Sequence, residues 1–223
     1  MTTLVRTVLL DLDGTILDTN ELIIQSFLHA LEGLLPSDFT REDMIPSMGL
    51  PLEVQLQRFS GLDDVAHLIA RYRSKNYELH DQLVRLFPNV MEVIERLHAA
   101  GIQIGIVTTK VRASTERSMR FLQVPDVIGS IVTVEDVTHP KPHPEPVLMA
   151  LQQLSADPAT TVMVGDSPVD ILSAVQAGVI PVGVAWSLKE ESALRDAGAQ
   201  HILHDMRDLY ALVGLEREPL AQN

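Results

Sequence analysis

The chain has 223 residues, 46% of them hydrophobic, with a mean hydropathy of +0.13 and a formal net charge of −13. That is enough apolar material for a sizeable core, in one domain with a large insertion or in two. No apolar stretch reaches the ~20 residues of a membrane helix, and the acidic balance argues against a nucleic-acid surface, which presents clustered Lys and Arg. With no Cys, disulfides, thiolate catalysis and Cys-based zinc sites are excluded. Met1-Thr2-Thr3 leads into the first strand without a signal-peptide pattern, so a cytoplasmic location is expected.

The first predicted strand, Leu4–Leu10, ends in Asp11-Leu12-Asp13-Gly14-Thr15. In extended chain, residues i and i+2 share a side at roughly 7 Å, so Asp11 and Asp13 converge while Leu12 turns into the core and Gly14 and Thr15 open a turn. Such a carboxylate pair repels itself and is relieved by protonation or by a cation. One member can act as nucleophile and the other as general acid and base. Taken alone, the pattern equally fits a solvated turn or part of a calcium loop.

From Asp18 to Arg85 the chain shows helical periodicity and no good strand: Glu21–Leu31, Leu52–Phe59, Val65–Tyr72 and the stretch around Asn76–Leu86. This is too long for a simple crossover and predicts a helical module, with Ile16–Thr19 and Leu86–Asn89 as the entry and return hinges. Asp18-x-x-Glu21 fits a capping box for the first of these helices. In Phe87-Pro88-Asn89-Val90, Asn89 suits a left-handed turn ahead of a helix over Val90–Ala100.

Five further strands follow at Ile102–Val107, Ser130–Val134, Thr161–Val164, Ile180–Ala185 and His201–Leu203. Alternating with helices, they predict an α/β fold, a doubly wound parallel sheet formed by residues 1–17 and 86–223. Three further signals carry chemistry, each at the end of a predicted strand or beside one. Ile104-Gly105-Ile106-Val107 runs into Thr108-Thr109-Lys110. Lys141 lies among Pro140, Pro142, Pro144 and Pro146, which rule out helix or central strand and leave a rigid loop. The strand at Val162 spills into Gly165-Asp166-Ser167-Pro168-Val169-Asp170. Gly178 reads as a helix C-terminal glycine, and the tail after Leu215 as loose. Of the eight His residues, His201 and His204 would face opposite ways in a strand, and His139 and His143 decorate the loop around Lys141.

The ordered set, DLDGT, a strand-end Thr, an isolated Lys and GDxxxD, resembles the haloacid dehalogenase superfamily over essentially the whole chain. The resemblance implies Asp11 as nucleophile, Asp13 as the acid that protonates the leaving oxygen and then activates water, and Mg²⁺ held by Asp11, Asp166 and the main-chain carbonyl of Asp13. It also implies a helical cap at residues 18–85. A hard octahedral ion that takes one or two carboxylates agrees with those roles. Thr108 offers a hydroxyl and neighbouring N–H groups to a phosphoryl group, and Lys141 a compact charge. Asp170 would hold Lys141 or a metal water. Gly14, Thr15 and Thr109 are candidate phosphate contacts.

Asp13 argues against the dehalogenases of that superfamily, which lack a second aspartate, and Ile23 stands where the sugar-phosphate mutases carry His. Within the phosphatases the chain resembles the bacterial inorganic pyrophosphatases, through Thr19-Asn20-Glu21, Arg41-Glu42-Asp43, Tyr72-Arg73, Asn76, His80-Asp81 and Thr108-Thr109-Lys110. A small phosphorylated substrate, pyrophosphate first and phosphoglycolate or a similar monoester second, is therefore expected. Lys110, Arg73 and Asn76 are the candidate clamps for its leaving group. Arg73 is equally compatible with a solvated helix face. A non-catalytic phosphate-binding protein on the same fold is the alternative from another class.

Overall fold

Within the strand Thr7–Leu10 (β1), Val8 and Leu10 face one apolar cluster and Leu9 another, the period-two pattern of a strand buried on both sides. The computed structural model describes residues 4–217; Met1-Thr2-Thr3 and the last part of the expected loose tail lie outside the described residues. The elements after β1 are β2 (Leu17–Asp18), α1 (Asn20–Ala30), α2 (Leu52–Ser60), α3 (Ala66–Leu83), β3 (Arg85–Leu86) and α4 (Val90–Ala99). Then come β4 (Gln103–Val107), α5 (Arg112–Phe121), β5 (Ser130–Val132), α6 (Glu145–Leu154), β6 (Thr161–Gly165) and α7 (Pro168–Ala177). The chain closes with β7 (Ile180–Val184), α8 (Glu191–Asp196), β8 (His201–Leu203) and α9 (Leu209–Val213).

Six strands form one parallel sheet in the order β5-β4-β1-β6-β7-β8. Val90, Val93, Ile94 and Leu97 of α4 and Leu209, Tyr210 and Val213 of α9 cover the face of Val8 and Leu10. Val147, Ala150 and Leu151 of α6 and Ala174 and Ala177 of α7 cover the face of Leu9. This is the doubly wound α/β fold expected from the alternation of elements. The chain winds from β1 outward through β4 and β5, returns beside β1 at β6, and winds out the other way. The crevice at such a reversal, beyond the carboxyl ends of the strands, is where open α/β sheets bind ligands. Asp11 and Asp166 lie on its two sides.

The segment between β2 and β3 has a core of its own. Ile24, Phe27, Leu31, Met44, Leu56 and Leu68 cluster there, with the Phe27 ring 5.5 Å from Phe59 and 4.8 Å from Tyr72. Its two ends are tied by the antiparallel pairs Leu17 with Leu86 and Asp18 with Arg85.

Several expectations need correction. Asp18 does not form the expected capping box with Glu21: it lies in β2 opposite Arg85, the residue before the helix is Thr19, and Asp18 Oδ1 accepts only a long bond from Asn20 N–H at 3.4 Å. Glu21 instead pairs with Arg41 and Gln25. Cross-strand pairing at the chain's return has overridden the local capping preference. The two stretches expected around Val65–Tyr72 and Asn76–Leu86 are one helix, α3, which stops at Leu83 because Arg85 and Leu86 are needed in β3. The first strand begins at Thr7 rather than Leu4. Asn89 takes φ 65° as expected, and its side-chain amide donates to both Asp205 carboxylate oxygens, at 3.2 and 3.1 Å.

Candidate active site

Asp11 follows β1, its N–H bonded to Val164 O at 2.8 Å, so the β1–β6 ladder continues through it and aims its carboxylate over the crevice. Lys141 reaches in from the proline-rich loop and is buried. Its Nζ donates to Asp11 Oδ1 at 2.6 Å, Asp170 Oδ1 at 2.5 Å and Val107 O at 2.9 Å. Asp170 uses its other oxygen to accept Ser167 N–H at 3.0 Å, closing a capping box at the start of α7. Asp170 thus holds Lys141 and also caps a helix.

Carboxylate oxygens of Asp11, Asp166 and Asp170 lie within 4.8 Å of one another, all buried. Burial is the largest influence on Asp11 and, with the charges of Asp170 and Asp166, raises its proton affinity well above the usual carboxylate range against the pull of Lys141. Burial likewise pushes Asp166 up to about 6. Burial works against the charge on Lys141, but Asp11 and Asp170 more than offset it and keep it protonated. Three buried carboxylates face two ammoniums, those of Lys141 and Lys189, and still carry surplus negative charge, and all-oxygen donors suit a hard divalent cation. The residues present fit such an ion.

Asp13 points elsewhere. Lys110 Nζ donates to both of its oxygens at 2.9 Å and Thr19 Oγ1 to Oδ1 at 2.8 Å. Gly14 has φ 84°, and a Cβ there would come within 2.6 Å of the Asp166 carboxylate, so the turn needs glycine both for its backbone and for the approach. Gly14 and Thr15 are buried and do not line the cleft. Thr15, expected as a phosphate contact, is folded behind the carboxylates, its carbonyl accepting Trp186 Nε1 at 3.3 Å.

The cleft between the sheet and the α1–α3 segment has a volume of about 570 Å³ and is lined by Asp11, Asp13, Thr108, Lys110, Arg73 and Asn76, among others. The segment touches the sheet side closely: Thr109 Oγ1 donates to Gly49 O at 3.2 Å and Ser167 Oγ to Met48 O at 3.3 Å. Thr109 is therefore engaged with the opposite wall. Thr108 Oγ1 accepts Lys110 N–H at 3.1 Å. Arg73 is exposed and Asn76 donates to Ser26 Oγ at 3.3 Å. The structure brings Asp11, Asp13, Thr108, Lys110, Lys141 and Asp166 to one place, with Asp170 behind them.

The haloacid dehalogenase-like hydrolase family profile matches residues 8–184. The chain belongs to this family. It is 41% identical over 214 residues to pyrophosphatase PpaX of Bacillus velezensis, covering 95% of this chain and 98% of that one. It is 39% identical over 213 residues to pyrophosphatase PpaX of Anoxybacillus flavithermus, with the same coverage. Among solved structures, a haloacid dehalogenase-like hydrolase from Bacteroides fragilis superposes with a TM-score of 0.82 at 30% identity, covering 92% of this chain and 99% of that one. A hydrolase from Pseudomonas syringae has the same fold, with a TM-score of 0.82 at 22% identity, covering 92% of this chain and 96% of that one. The chain is an enzyme, a phosphatase-type hydrolase acting on a small phosphorylated substrate. No helix among the described residues is long and apolar enough to cross a membrane.

Two members of the hydrolase site escaped the sequence reading. The Lys189 side chain is buried, with Nζ 3.7 Å from Asp166 Oδ2; its loop is fixed by Ser187, whose hydroxyl donates to Asp166 O at 2.6 Å and accepts Lys189 N–H at 2.9 Å. Nothing in Ser187-Leu188-Lys189-Glu190 sets that lysine apart from a solvated one. Thr19 was legible as the end of the entry hinge and as part of the family resemblance, but not as a partner of Asp13, which its hydroxyl serves.

Proposed function

We propose that this hydrolase is a cytoplasmic inorganic pyrophosphatase that uses Mg²⁺ and a phosphoryl-Asp11 intermediate. The reading rests on the division of labour between the two motif carboxylates. Asp11 is buried against Lys141, while Asp13 faces the cleft between Lys110 and Thr19. Relatives named pyrophosphatase at 39–41% identity over nearly the whole chain support the same substrate.

Asp11, Asp166 and the Asp13 carbonyl would hold Mg²⁺, which when bound neutralises charge on the phosphoryl oxygens. An Asp11 oxygen attacks the nearer phosphorus, the bridging P–O bond breaks, and Asp13 gives its proton to the departing phosphate. Asp13 then takes a proton from water as the water attacks the phosphoryl group. The bond to Asp11 breaks and the second phosphate leaves. Lys141 and the Thr108 hydroxyl stabilise charge on the transferring group. Lys110, Arg73 and Asn76 clamp the leaving phosphate, which competes with Asp13 for the Lys110 ammonium. Residues 18–85 act as a cap that excludes water, moving on hinges beside β2 and β3.

A small phosphomonoester such as phosphoglycolate is the second reading, favoured by the cleft's apolar walls at Ile23, Leu52 and Ile69. The test is Mg²⁺-dependent phosphate release from pyrophosphate against phosphoglycolate and sugar phosphates, with Asp11→Asn as control. A dominant kcat/KM for pyrophosphate is expected. A monoester that outruns it overturns the substrate, and turnover that survives in Asp11→Asn overturns the nucleophile.

A further inference from the structure

The loop that delivers Lys141 inward carries a second group of potential ligands on its outer side. His139, His143 and Glu145 each place a ligand atom within 4.8 Å of the others. Glu145 Oε2 lies 2.9 Å from His139 Nδ1 and 4.0 Å from His143 Nδ1. These distances bracket the roughly 3.3 Å between neighbouring donors around a tetrahedral ion with bonds of about 2.0–2.1 Å. The two imidazole rings are 4.7 Å apart, centroid to centroid.

The frame is fixed before any ion arrives. Glu145 is the first residue of α6, and its carboxylate accepts Thr138 N–H at 2.8 Å and His139 N–H at 2.9 Å. His143 N–H bonds to Pro140 O at 3.0 Å, His143 O accepts Ser173 Oγ at 2.8 Å, and Pro142 O accepts Gln176 Nε2 at 3.0 Å. The loop is therefore tied to α7 while its imidazoles remain open to solvent, His139 by 63% and His143 by 50%. Ligation would displace two existing contacts, His139 Nδ1 to Glu145 Oε2 and Glu145 N–H to His143 Nδ1 at 3.2 Å. The second costs little, because a helix's first N–H groups have no partner within the helix and water can take them.

We propose that His139, His143 and Glu145 form a second metal site, selective for zinc-class divalent ions, on the outer side of the loop that carries Lys141. Two imidazoles and one carboxylate match Zn²⁺ with an open position, whereas the buried aspartate cluster is a hard all-oxygen site. The two sites sort metals by donor type. Ligation clamps the same loop whose lysine holds Asp11, so the ion stiffens the support of the catalytic charge.

The test titrates Zn²⁺ into the full-length protein with Mg²⁺ in large excess to fill the aspartate cluster, followed by calorimetry, with Co²⁺ absorption as a report of nitrogen ligation. One equivalent is expected to bind. In His139→Gln/His143→Gln the affinity should fall by more than about 100-fold, beyond the 10–100-fold cost of losing an outer partner alone, with Mg²⁺-dependent hydrolysis intact as evidence of folding. Asp166→Asn should retain the zinc equivalent. No Zn²⁺ uptake by the parent protein, uptake unchanged in the double His variant, or uptake lost in Asp166→Asn would each overturn the proposal.

Discussion

Lys110 Nζ sits 2.9 Å from both carboxylate oxygens of Asp13, so in the proposed mechanism the cation nearest the general acid is the one that would receive the leaving phosphate. On that mechanism one lysine would serve two carriers of negative charge in turn. Removing it should hurt a substrate with an anionic leaving group more than one with a neutral alcohol. Lys110→Met is expected to lower kcat/KM for pyrophosphate by about 10²–10³, the scale of one lost transition-state donor, and for a neutral-alcohol phosphomonoester by much less. The ratio of the two specificity constants is the measurement, and equal losses would remove Lys110 from the leaving-group site.

Asp166 gives a pH signature. Its folded value of about 6 stands above the ordinary 3.8, so between those limits the folded chain binds the proton and the unfolded chain does not. Stability from this group is therefore greatest at low pH and declines as pH rises through that window, by on the order of 3 kcal/mol. Urea midpoints of metal-free parent and Asp166→Asn protein, compared from pH 4 to 7, should show the parent losing ground as pH rises. Saturating Mg²⁺ should remove that slope by stabilising the carboxylate. A difference that stays flat without metal would sink the account.

Much of this was legible because it is local. Asp11, Thr108 and Asp166 each end a run of buried residues, and the order of strands and helices then implies a crevice where those ends meet. Lys141 stood out because the prolines around it leave only a loop. What escaped depends on distant partners. Asp18 reads as a helix cap until Arg85 returns beside it in β3. Thr15 reads as a turn hydroxyl, but the chain folds it inward beneath Trp186. Lys189 gains its meaning from an aspartate in a different loop, a juxtaposition with no periodicity to announce it.

Gly14 tests how tightly the turn is built. Alanine there meets both a positive φ of 84° and an Asp166 carboxylate carbon and oxygen 2.6 Å away. The strained backbone alone costs about 1–3 kcal/mol, and the carboxylate must move, which spoils the proposed ion-binding position. Gly14→Ala should lower the melting temperature and lose most of the further rise that Mg²⁺ produces in the parent. Thermal melts with and without Mg²⁺ separate the effects: a variant that melts lower yet gains as much from Mg²⁺ would show that the carboxylate is free to relax.

His80 joins the α1–α3 segment to the sheet side. It is buried on α3, with Nδ1 2.6 Å from Asp81 Oδ1 and Nε2 2.8 Å from Ser118 Oγ on α5. Arg117 of α5 also pairs with Asp81 at 2.9 Å. Burial lowers the proton affinity of His80 most; Asp81 pulls it up, while Arg117 and Lys110 push it further down, and the balance lies below the ordinary 6.5. Above pH 6.5 the ring is neutral in both folded and unfolded chains. Below it, the unfolded chain takes up a proton that the folded ring resists, so stability falls as pH drops from 6.5 toward the depressed value. His80→Gln keeps a polar side chain without the titration. Denaturant midpoints measured from pH 7.5 to 5 should therefore fall faster for the parent than for the variant. Parallel curves would mean that His80 accepts its proton without cost.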